Sequence, residues 1–365
     1  MIKHSKPTII EEKKLLKIID QILKSGQLAE GQYTDLFEKE LCKFFGSKYA
    51  VAVSSGSAAL HLALLSLGVE KNSEVIIPAF CCSAVLNSVL YCGARPVIVD
   101  VNPDEFNLSY EEVKKNISKK TKAIILPHMF GYPAKDTQKI VSLGIPVIED
   151  TAQSIGAKIN GKLVGSFGKI NVLSFYATKM ITTFGEGGAV LTNDKSLYKK
   201  IKSLKSYDKN VEFELRYNYK ITEVQSAMGI IQLKHLAKFV EKRKKIFEIY
   251  KKELKNCNNI KIFEPEGNIE AVYYRFIIQV KNKVDLDKII CKFKEHNIEI
   301  AKPVFLPLDK YYYGRFVCQN SKNFYDTTIS LPLYPELNKT EVKKILNVLK
   351  KYYVRTILGI KRKTF

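Results

Sequence analysis

The sequence predicts an α/β domain with a mainly parallel sheet, followed by a small C-terminal α+β domain. Short, almost continuous aliphatic runs alternate with helical patterns over the first two thirds of the 365-residue chain. Such runs are typical of parallel strands that are buried on both faces. The pattern changes after Tyr219, and at roughly 150 residues per domain the length indicates about two domains.

The first domain is assigned to residues 1–255. Seven apolar runs predict its strands, at residues 49–53, 74–77, 96–101, 123–127, 146–149, 171–175 and 189–192. Between them, a helix over 58–67 ends at Gly68, a residue typical of helix C-termini. Another helix begins at Ser109, where Glu112 completes a capping-box pattern. Strands that alternate with helices favour a parallel sheet.

The second domain is assigned to residues 256–365. Thr222 and Gln225 form a second capping-box pattern, and the helical pattern that they open, residues 222–254, is long enough to lead from one domain to the next. The polar stretch 256–267 marks the boundary. A strand over 272–280, helices over 286–296 and 340–353 and a basic tail at 361–363 follow.

Composition narrows the class of protein. Lys and Arg number 59 against 37 Asp and Glu, a net charge of +22. The lysines are spread over helical stretches, which favours a solvated surface over a nucleic-acid stripe, although the charge would also attract an anionic substrate. No apolar run approaches the roughly 18 residues of a membrane span. The N-terminus lacks the apolar core of a signal peptide, so a cytoplasmic protein is expected.

The seven cysteines include no C-x-x-C pair. Neither a disulfide framework nor a zinc site is therefore indicated, and free thiols are expected.

The first candidate motif is Ser54-Ser55-Gly56-Ser57, which follows a strand and opens a helix. Small residues allow a ligand to approach the backbone, and the first N–H groups of a helix point outward unpaired. The motif could hold a phosphate. The alternative is an ordinary serine N-cap before a core helix.

The second candidate motif places Glu149 and Asp150 at the end of a strand, with Gln153 shortly after them. Ligands of open parallel sheets bind beyond the carboxyl ends of strands. An acid there could hold a cationic ring nitrogen or a metal ion. The only histidine expected nearby is His128, and one carboxylate with one histidine is a poor metal site. We favour a structural, hydrogen-bonded role for His128.

The third candidate motif runs from Ser174 to Lys179 and is followed by a glycine cluster at residues 185–188. A lysine in a small, apolar pocket loses its proton more easily and can form a Schiff base. Ser174 could donate to a phosphate. A phosphate-binding turn, an acid at a strand end and a loop lysine, in this order, are the parts that a pyridoxal phosphate site requires.

These motifs resemble the DegT/DnrJ/EryC1/StrS family of nucleotide-sugar aminotransferases over residues 31–353. The matching stretches are SSGSAALHLAL, EVIIPAF, GARPVIVDV, IEDTAQSIGA, VGSFG, LSFYATK, GEGGAVLT, RYNYKITEVQSAMGIIQL and ISLPLYPEL. The resemblance implies an aspartate-aminotransferase-like fold of type I, pyridoxal 5′-phosphate as cofactor, and a homodimer with shared active sites.

The resemblance also implies a role for single residues. Lys179 would hold the cofactor aldehyde as an imine and carry protons, Asp150 would pair with the ring nitrogen, and Gln153 would lie against the 3-hydroxyl group. The residues implied at the phosphate are Gly56, Ser57, Ser174 and, from the other subunit, Asn218. Glu186 matches a family position to which we assign no role.

Two positions depart from the family pattern. Cys82 stands where relatives carry an aromatic residue stacked on the cofactor, and either its thiol or the neighbouring Phe80 could cover the ring. Residues 205–209 replace an Arg-x-His-Gly-like segment, which bears on substrate or loop recognition.

The lysine at position 179 favours amino transfer, because related sugar dehydratases carry histidine there. The predicted reaction moves an amino group, from glutamate, to a keto carbon of a nucleotide-linked sugar, in the biosynthesis of cell-surface polysaccharide or deoxyaminosugars. The alternatives are a catalytically silent binding or regulatory protein and a cofactor-dependent sugar dehydratase.

Overall fold

A computed structural model describes residues 1–207, 211–280, 286–312 and 317–354. The predicted basic tail and two residues of the divergent 205–209 segment lie outside these ranges. The strands are β1 (Tyr49–Val53), β2 (Glu74–Pro78), β3 (Arg95–Val99), β4 (Thr121–Pro127), β5 (Val147–Asp150), β6 (Lys158–Ile159), β7 (Lys162–Leu163), β8 (Ile170–Ser174), β9 (Gly188–Thr192), β10 (Ile260–Ile262), β11 (Ile269–Glu270), β12 (Phe276–Val280) and β13 (Thr328–Leu331).

The helices are interleaved with these strands. They are α1 (Glu12–Ser25), α2 (Gln32–Phe45), α3 (Gly56–Ser66), α4 (Ser83–Tyr91), α5 (Tyr110–Asn116), α6 (Thr137–Val141), α7 (Lys195–Lys205), α8 (Glu223–Lys234), α9 (Leu236–Leu254), α10 (Leu286–Glu295), α11 (Leu308–Tyr311), α12 (Gln319–Thr327) and α13 (Lys339–Leu349).

The central sheet of the described residues has seven strands in the order β1-β9-β8-β5-β4-β2-β3. All the strands predicted for the first domain belong to it. The pairs from β3 through β8 are parallel, as expected, whereas β9 is antiparallel to both neighbours. The cause is the connection: β8 and β9 are joined by a loop without a crossover helix, so the chain returns in the opposite direction.

Helix α3 begins two residues before its predicted start and ends, as the sequence predicts, before Gly68. Ser55 caps it by accepting a hydrogen bond from the N–H of Ala58 at 3.1 Å. At the other end Gly68 adopts φ +74°, and Val69 N–H donates to Leu64 O at 3.1 Å. A left-handed glycine with this bond is a common helix stop. The capping turn therefore lies at the carboxyl edge of the sheet, where the first candidate motif was found.

The N-terminal helices α1 and α2 were not identified in the sequence. The buried carboxylate of Glu223, the first residue of α8, accepts hydrogen bonds from the N–H groups of Gly31 and Thr34 and from the Thr34 hydroxyl, at 2.7–2.9 Å. These donors include N–H groups at the start of α2, which lack partners within the helix. The capping box at Thr222 is confirmed. His235 separates α8 from α9, because its backbone angles are not helical.

A second, antiparallel sheet with the order β10-β12-β13 forms after α9. Strand β12 is shorter than predicted, because residues 272–275 instead bond to a turn of the first domain. Val272 N–H donates to Gly131 O at 2.9 Å, and Arg275 N–H donates to Phe130 O at 3.2 Å. The division at residues 255/256 stays a prediction.

Within the described ranges, no helix has the length and apolar character needed to cross a membrane.

Candidate active site

A cavity of about 280 Å³ opens at the carboxyl edge of the central sheet. It lies where β2, β4, β5 and β8 end, the usual ligand position in open α/β sheets. All but one of the predicted cofactor residues line it: Gly56, Ser57, Cys82, Asp150, Gln153, Ser174 and Lys179. The exception is Asn218. The cavity therefore joins the three candidate motifs of the sequence.

The first wall of the cavity is the start of α3. Gly56 packs directly on Ser174, and a Cβ at position 56 would lie 2.7 Å from the Cβ of Ser174. Only a glycine allows this approach of α3 to the end of β8. The serine side chains and the N-terminal N–H groups of α3 together can bind an anion such as a phosphate.

The floor of the cavity is Asp150, the last residue of β5. From the described residues its carboxylate accepts one hydrogen bond, donated by the N–H of Ala152 at 3.0 Å. Burial raises the pKa of Asp150, and the Ala152 N–H and the charge of Lys179 oppose this only in part. A cationic group placed in the cavity would offset the loss of hydration of this carboxylate.

Glu149 occupies a separate polar network, although it is the next residue along the strand. Its carboxylate accepts hydrogen bonds from the N–H groups of Gly165, Phe167 and Gly168 at 2.6–2.7 Å. It also accepts one from His128 Nε2 at 3.0 Å. Burial alone would raise the pKa of Glu149, but His128 and the backbone donors outweigh burial and lower it.

His128 links Glu149 to the backbone. Its Nδ1 accepts a hydrogen bond from the N–H of Ala134 at 3.0 Å, so the ring proton lies on Nε2, toward Glu149. The ring is buried and also borders the cavity. The structure thus agrees with the hydrogen-bonded, structural interpretation of this histidine.

Lys179 lies on the loop between β8 and β9. The loop closes on itself through hydrogen bonds from Phe175 N–H to Gly187 O at 2.8 Å and from Ala177 N–H to Gly185 O at 3.0 Å. Glu186 also borders the cavity, and its carbonyl accepts a hydrogen bond from Gln225 Nε2 at 2.9 Å. The loop presents the Lys179 amine to the same cavity as Asp150.

The side-chain amide of Gln153 is held in place by the backbone of Phe130. Its Oε1 accepts a hydrogen bond from the N–H of Phe130 at 2.8 Å. Phe130 adopts the left-handed conformation with φ +58°. The amide group of Gln153 is held where a ring substituent could meet it.

The aromatic position of the family is not filled by Phe80. That side chain is fully buried and packs on Phe130 and Phe324, with ring centroids 6.2 and 5.9 Å apart. Phe80 therefore belongs to the hydrophobic core and does not border the cavity. Cys82 does border the cavity and is exposed.

Tyr176 also borders the cavity and was not predicted. The sequence did offer a signal for it, because Tyr176 lies between Ser174 and Lys179 in the third candidate motif.

Asn218 lies outside the cavity of its own chain and is exposed. The neighbouring Tyr217 and Tyr219 rings stack at 5.2 Å, and the Tyr219 carbonyl accepts the N–H of Ser54 at 2.8 Å. The segment that holds Asn218 is thus anchored beside the start of α3, while the Asn218 side chain is exposed to solvent.

Residues 9–350 match the model of the DegT/DnrJ/EryC1/StrS aminotransferase family. The chain belongs to this family. It is 34% identical over 353 residues to a GDP-perosamine synthase of Vibrio cholerae, covering 92% of this chain and 95% of that protein. It is 31% identical over 350 residues to the UDP-N-acetyl-3-dehydro-alpha-D-glucosamine 3-aminotransferase of Acidithiobacillus ferrooxidans, covering 92% and 93% of the two chains.

The crystal structure of the aminotransferase TlmJ from Streptoalloteichus hindustanus is similar throughout. It superposes with a TM-score of 0.91 at 26% identity, covering 98% of this chain and all of that one. The predicted fold class, an aspartate-aminotransferase-like fold of type I, is confirmed. The chain is an aminotransferase and hence an enzyme of the transferase class.

Proposed function

We propose that the protein is a pyridoxal phosphate-dependent aminotransferase that moves an amino group from glutamate to a keto carbon of a nucleotide-linked sugar. One observation carries the proposal: the half-buried carboxylate of Asp150 and the amine of Lys179 border one cavity together with the N-terminus of α3. This set of groups can hold a cationic ring, an aldehyde and a phosphate at once.

The residues of the cavity fit this cofactor. The close contact between Gly56 and Ser174 forms a cradle that a Cβ at position 56 would fill, and it offers serine and backbone donors to a phosphate. The Ala152 N–H donates a hydrogen bond to Asp150 at 3.0 Å, and a protonated ring nitrogen would supply another. Gln153 would lie against the ring hydroxyl. When bound, the cofactor stabilises negative charge on the carbon that loses a proton.

The protein residues then have distinct tasks. Asp150 keeps a cationic partner charged, because a buried carboxylate favours a positive neighbour. Lys179 would hold the cofactor aldehyde through its Nζ. Once the amino donor has released this amine, it would take the proton from the donor carbon that carries the amino group and carry that proton onward. Proton transfer by a positioned group is typically worth about 10² to 10⁴ in rate.

The substrate class is supported by the relatives. One is named for the synthesis of GDP-perosamine and another for transfer of an amino group to a UDP-linked 3-dehydro sugar. The net charge of +22 favours an anionic substrate, such as a sugar linked to a nucleoside diphosphate. We place the reaction in the cytoplasm, in the biosynthesis of cell-surface polysaccharide or deoxyaminosugars, with no role in nucleic-acid binding.

We further propose a homodimer with shared active sites. Val211, Phe213 and Leu215 are strongly exposed and lie shortly before Asn218. Exposed apolar clusters are typical of interaction surfaces. A second copy covering this segment would also bring Asn218 to the phosphate of its partner's cofactor.

The test is borohydride reduction of the protein loaded with pyridoxal phosphate, followed by peptide mapping. Label on Lys179 is expected, and label elsewhere or nowhere would contradict the proposal. A screen of keto-sugar nucleotides with glutamate, read by mass spectrometry, then identifies the acceptor. Sugar deoxygenation without consumption of glutamate would indicate a dehydratase, and an absence of both reactions would indicate a silent binding protein.

A further inference from the structure

Tyr274 lies against the amine of Lys179 from outside the cavity lining. The Nζ of Lys179 is 5.5 Å from the centroid of the Tyr274 ring. Only 5% of Tyr274 is exposed, and the residue is absent from the cavity wall. An ammonium group at this distance from a tyrosine ring is attracted by the negative charge of the ring face.

The backbone of Tyr274 is fixed from both sides. The buried Arg243 donates from Nη1 to the carbonyl of Tyr274 at 3.1 Å and to that of Leu333 at 2.8 Å. Gly131 approaches so closely that a Cβ there would lie 2.5 Å from the Tyr274 nitrogen. The ring therefore has little freedom to move away from Lys179.

Three positive groups, Arg275, Lys179 and Arg243, lie near the Tyr274 side chain. Arg275 Nη2 donates to the Tyr274 hydroxyl at 3.3 Å, and the Arg275 guanidinium also lies 4.7 Å from the ring centroid. Burial raises the pKa of Tyr274, but Arg275, Lys179, the Thr178 hydroxyl and Arg243 outweigh burial and lower it to about 8. His4 faces Arg275 at 3.3 Å, and burial and Arg275 hold its pKa near 3, so it adds no charge at neutral pH.

The adjacent tyrosine provides a comparison within the same segment. Tyr273 is also buried, but its ring stacks on Phe247 at 4.2 Å and contacts Tyr132. Burial raises the pKa of Tyr273 to about 12. Two neighbouring phenols thus differ because only one of them faces Lys179 and Arg275.

We propose that Tyr274 is a positioning residue for Lys179, which holds the Lys179 nitrogen by its ring face and stabilises positive charge on that nitrogen. This inference rests on the proposed function, in which Lys179 carries the cofactor. The nitrogen is cationic both as an ammonium group and in its protonated link to the cofactor. Loss of Tyr274 should therefore lower the pKa of this nitrogen in both states.

The experiment compares the wild type with Tyr274→Leu, Tyr274→Phe and Tyr273→Phe, all as the full chain. The first readout is the pH midpoint of the visible absorbance of the protein loaded with pyridoxal phosphate. The second is the pH dependence of Lys179 acetylation by acetic anhydride in the cofactor-free chain, mapped by mass spectrometry. Tyr273→Phe removes a buried hydroxyl of the same segment and serves as the matched control.

Tyr274→Leu should lower both midpoints by about half a pH unit or more, the size expected for loss of a cation–ring contact. Tyr274→Phe keeps the ring and should give a smaller shift in the same direction. Its kcat should fall less than that of Tyr274→Leu, for which we expect a loss of about tenfold with KM changed less than about twofold. Tyr273→Phe should shift neither midpoint.

The inference would be overturned if both Tyr274 variants kept the wild-type pH midpoints of absorbance and of acetylation. If Tyr274→Leu does not fold, the midpoints of Tyr274→Phe decide the question. The proposed function would fail differently, by an absence of borohydride label on Lys179 in the wild type.

Discussion

Two neighbouring carboxylates at the end of β5 lie in regions of opposite character. Glu149 is enclosed by three backbone N–H groups and His128. Within the described part of the chain, Asp150 receives a single N–H, and it faces Lys179 across a cavity. Glu149 is fully buried and Asp150 is half-buried on the cavity wall, and the pKa of Glu149 is lowered whereas that of Asp150 is raised. The number of donors that the fold supplies separates a carboxylate that stabilises the protein from one that awaits a cationic ligand.

The largest effect is expected from removing the charge that faces Asp150. Lys179→Ala should abolish turnover, with a loss of more than about 10²-fold, because the group that moves the proton is gone. Product formation is measured by mass spectrometry of the amino sugar. Lys169→Ala is the matched control, since Lys169 pairs with Asp194 at the surface and should keep its activity. Activity near the wild-type level in Lys179→Ala would contradict the assignment.

Asp150→Asn should lower the catalytic rate without lowering the stability of the fold. We expect kcat to fall by about 10²-fold or more, because a neutral amide cannot keep a ring nitrogen protonated. The folded-state pKa of Asp150 is raised, so its carboxylate disfavours the folded, cofactor-free chain at neutral pH. The melting temperature of the cofactor-free variant should therefore equal or exceed that of the wild type. A clear drop in that temperature would place Asp150 with Glu149 as a structural acid.

Glu149→Ala should show the opposite pattern. Removing one partner of this buried network should cost about 3–5 kcal/mol of unfolding free energy, measured by urea titration, because His128 and three N–H groups lose their acceptor. The folded-state pKa of Glu149 is lowered, so its contribution is complete above the unfolded pKa of about 4.3 and is lost as the pH falls below it.

The gap between wild type and Glu149→Ala should consequently shrink below about pH 4. A gap that does not change with pH would show that the charge of Glu149 is unimportant. Glu149→Gln keeps the shape of the side chain, so its unfolding free energy should lie between those of the wild type and Glu149→Ala.

The smallest effect on function is expected from a substitution at Cys82, which lines the same cavity as Asp150. Cys82→Tyr restores the aromatic residue of the family and should tighten pyridoxal phosphate binding by about 2- to 10-fold, as a stacked ring pair would. The dissociation constant is measured by absorbance titration of the cofactor-free chain. Cys92→Ser is a control, because Cys92 ends α4 away from the cavity. Weaker binding by Cys82→Tyr would show that the thiol, and not a ring, suits this position.

The sequence alone determined the strands of the central sheet, the capping turns at Ser55 and Thr222, and the order of the motifs that contain Asp150 and Lys179. Each of these features is local: apolar runs, capping residues and small-residue turns lie within a few positions of one another. The same local signals indicated that Asp150 lies at a strand end, where parallel sheets bind ligands.

Only the tertiary structure decided which groups surround each of the two carboxylates, that Phe80 belongs to the core, and that Tyr274 meets Lys179. These outcomes depend on contacts between segments far apart in the chain. The N–H groups after Val164 surround Glu149, and the turn at Gly131 fixes Tyr274. Alternation along a strand places neighbouring side chains on opposite faces, but the packed partners on each face determine what those side chains can do.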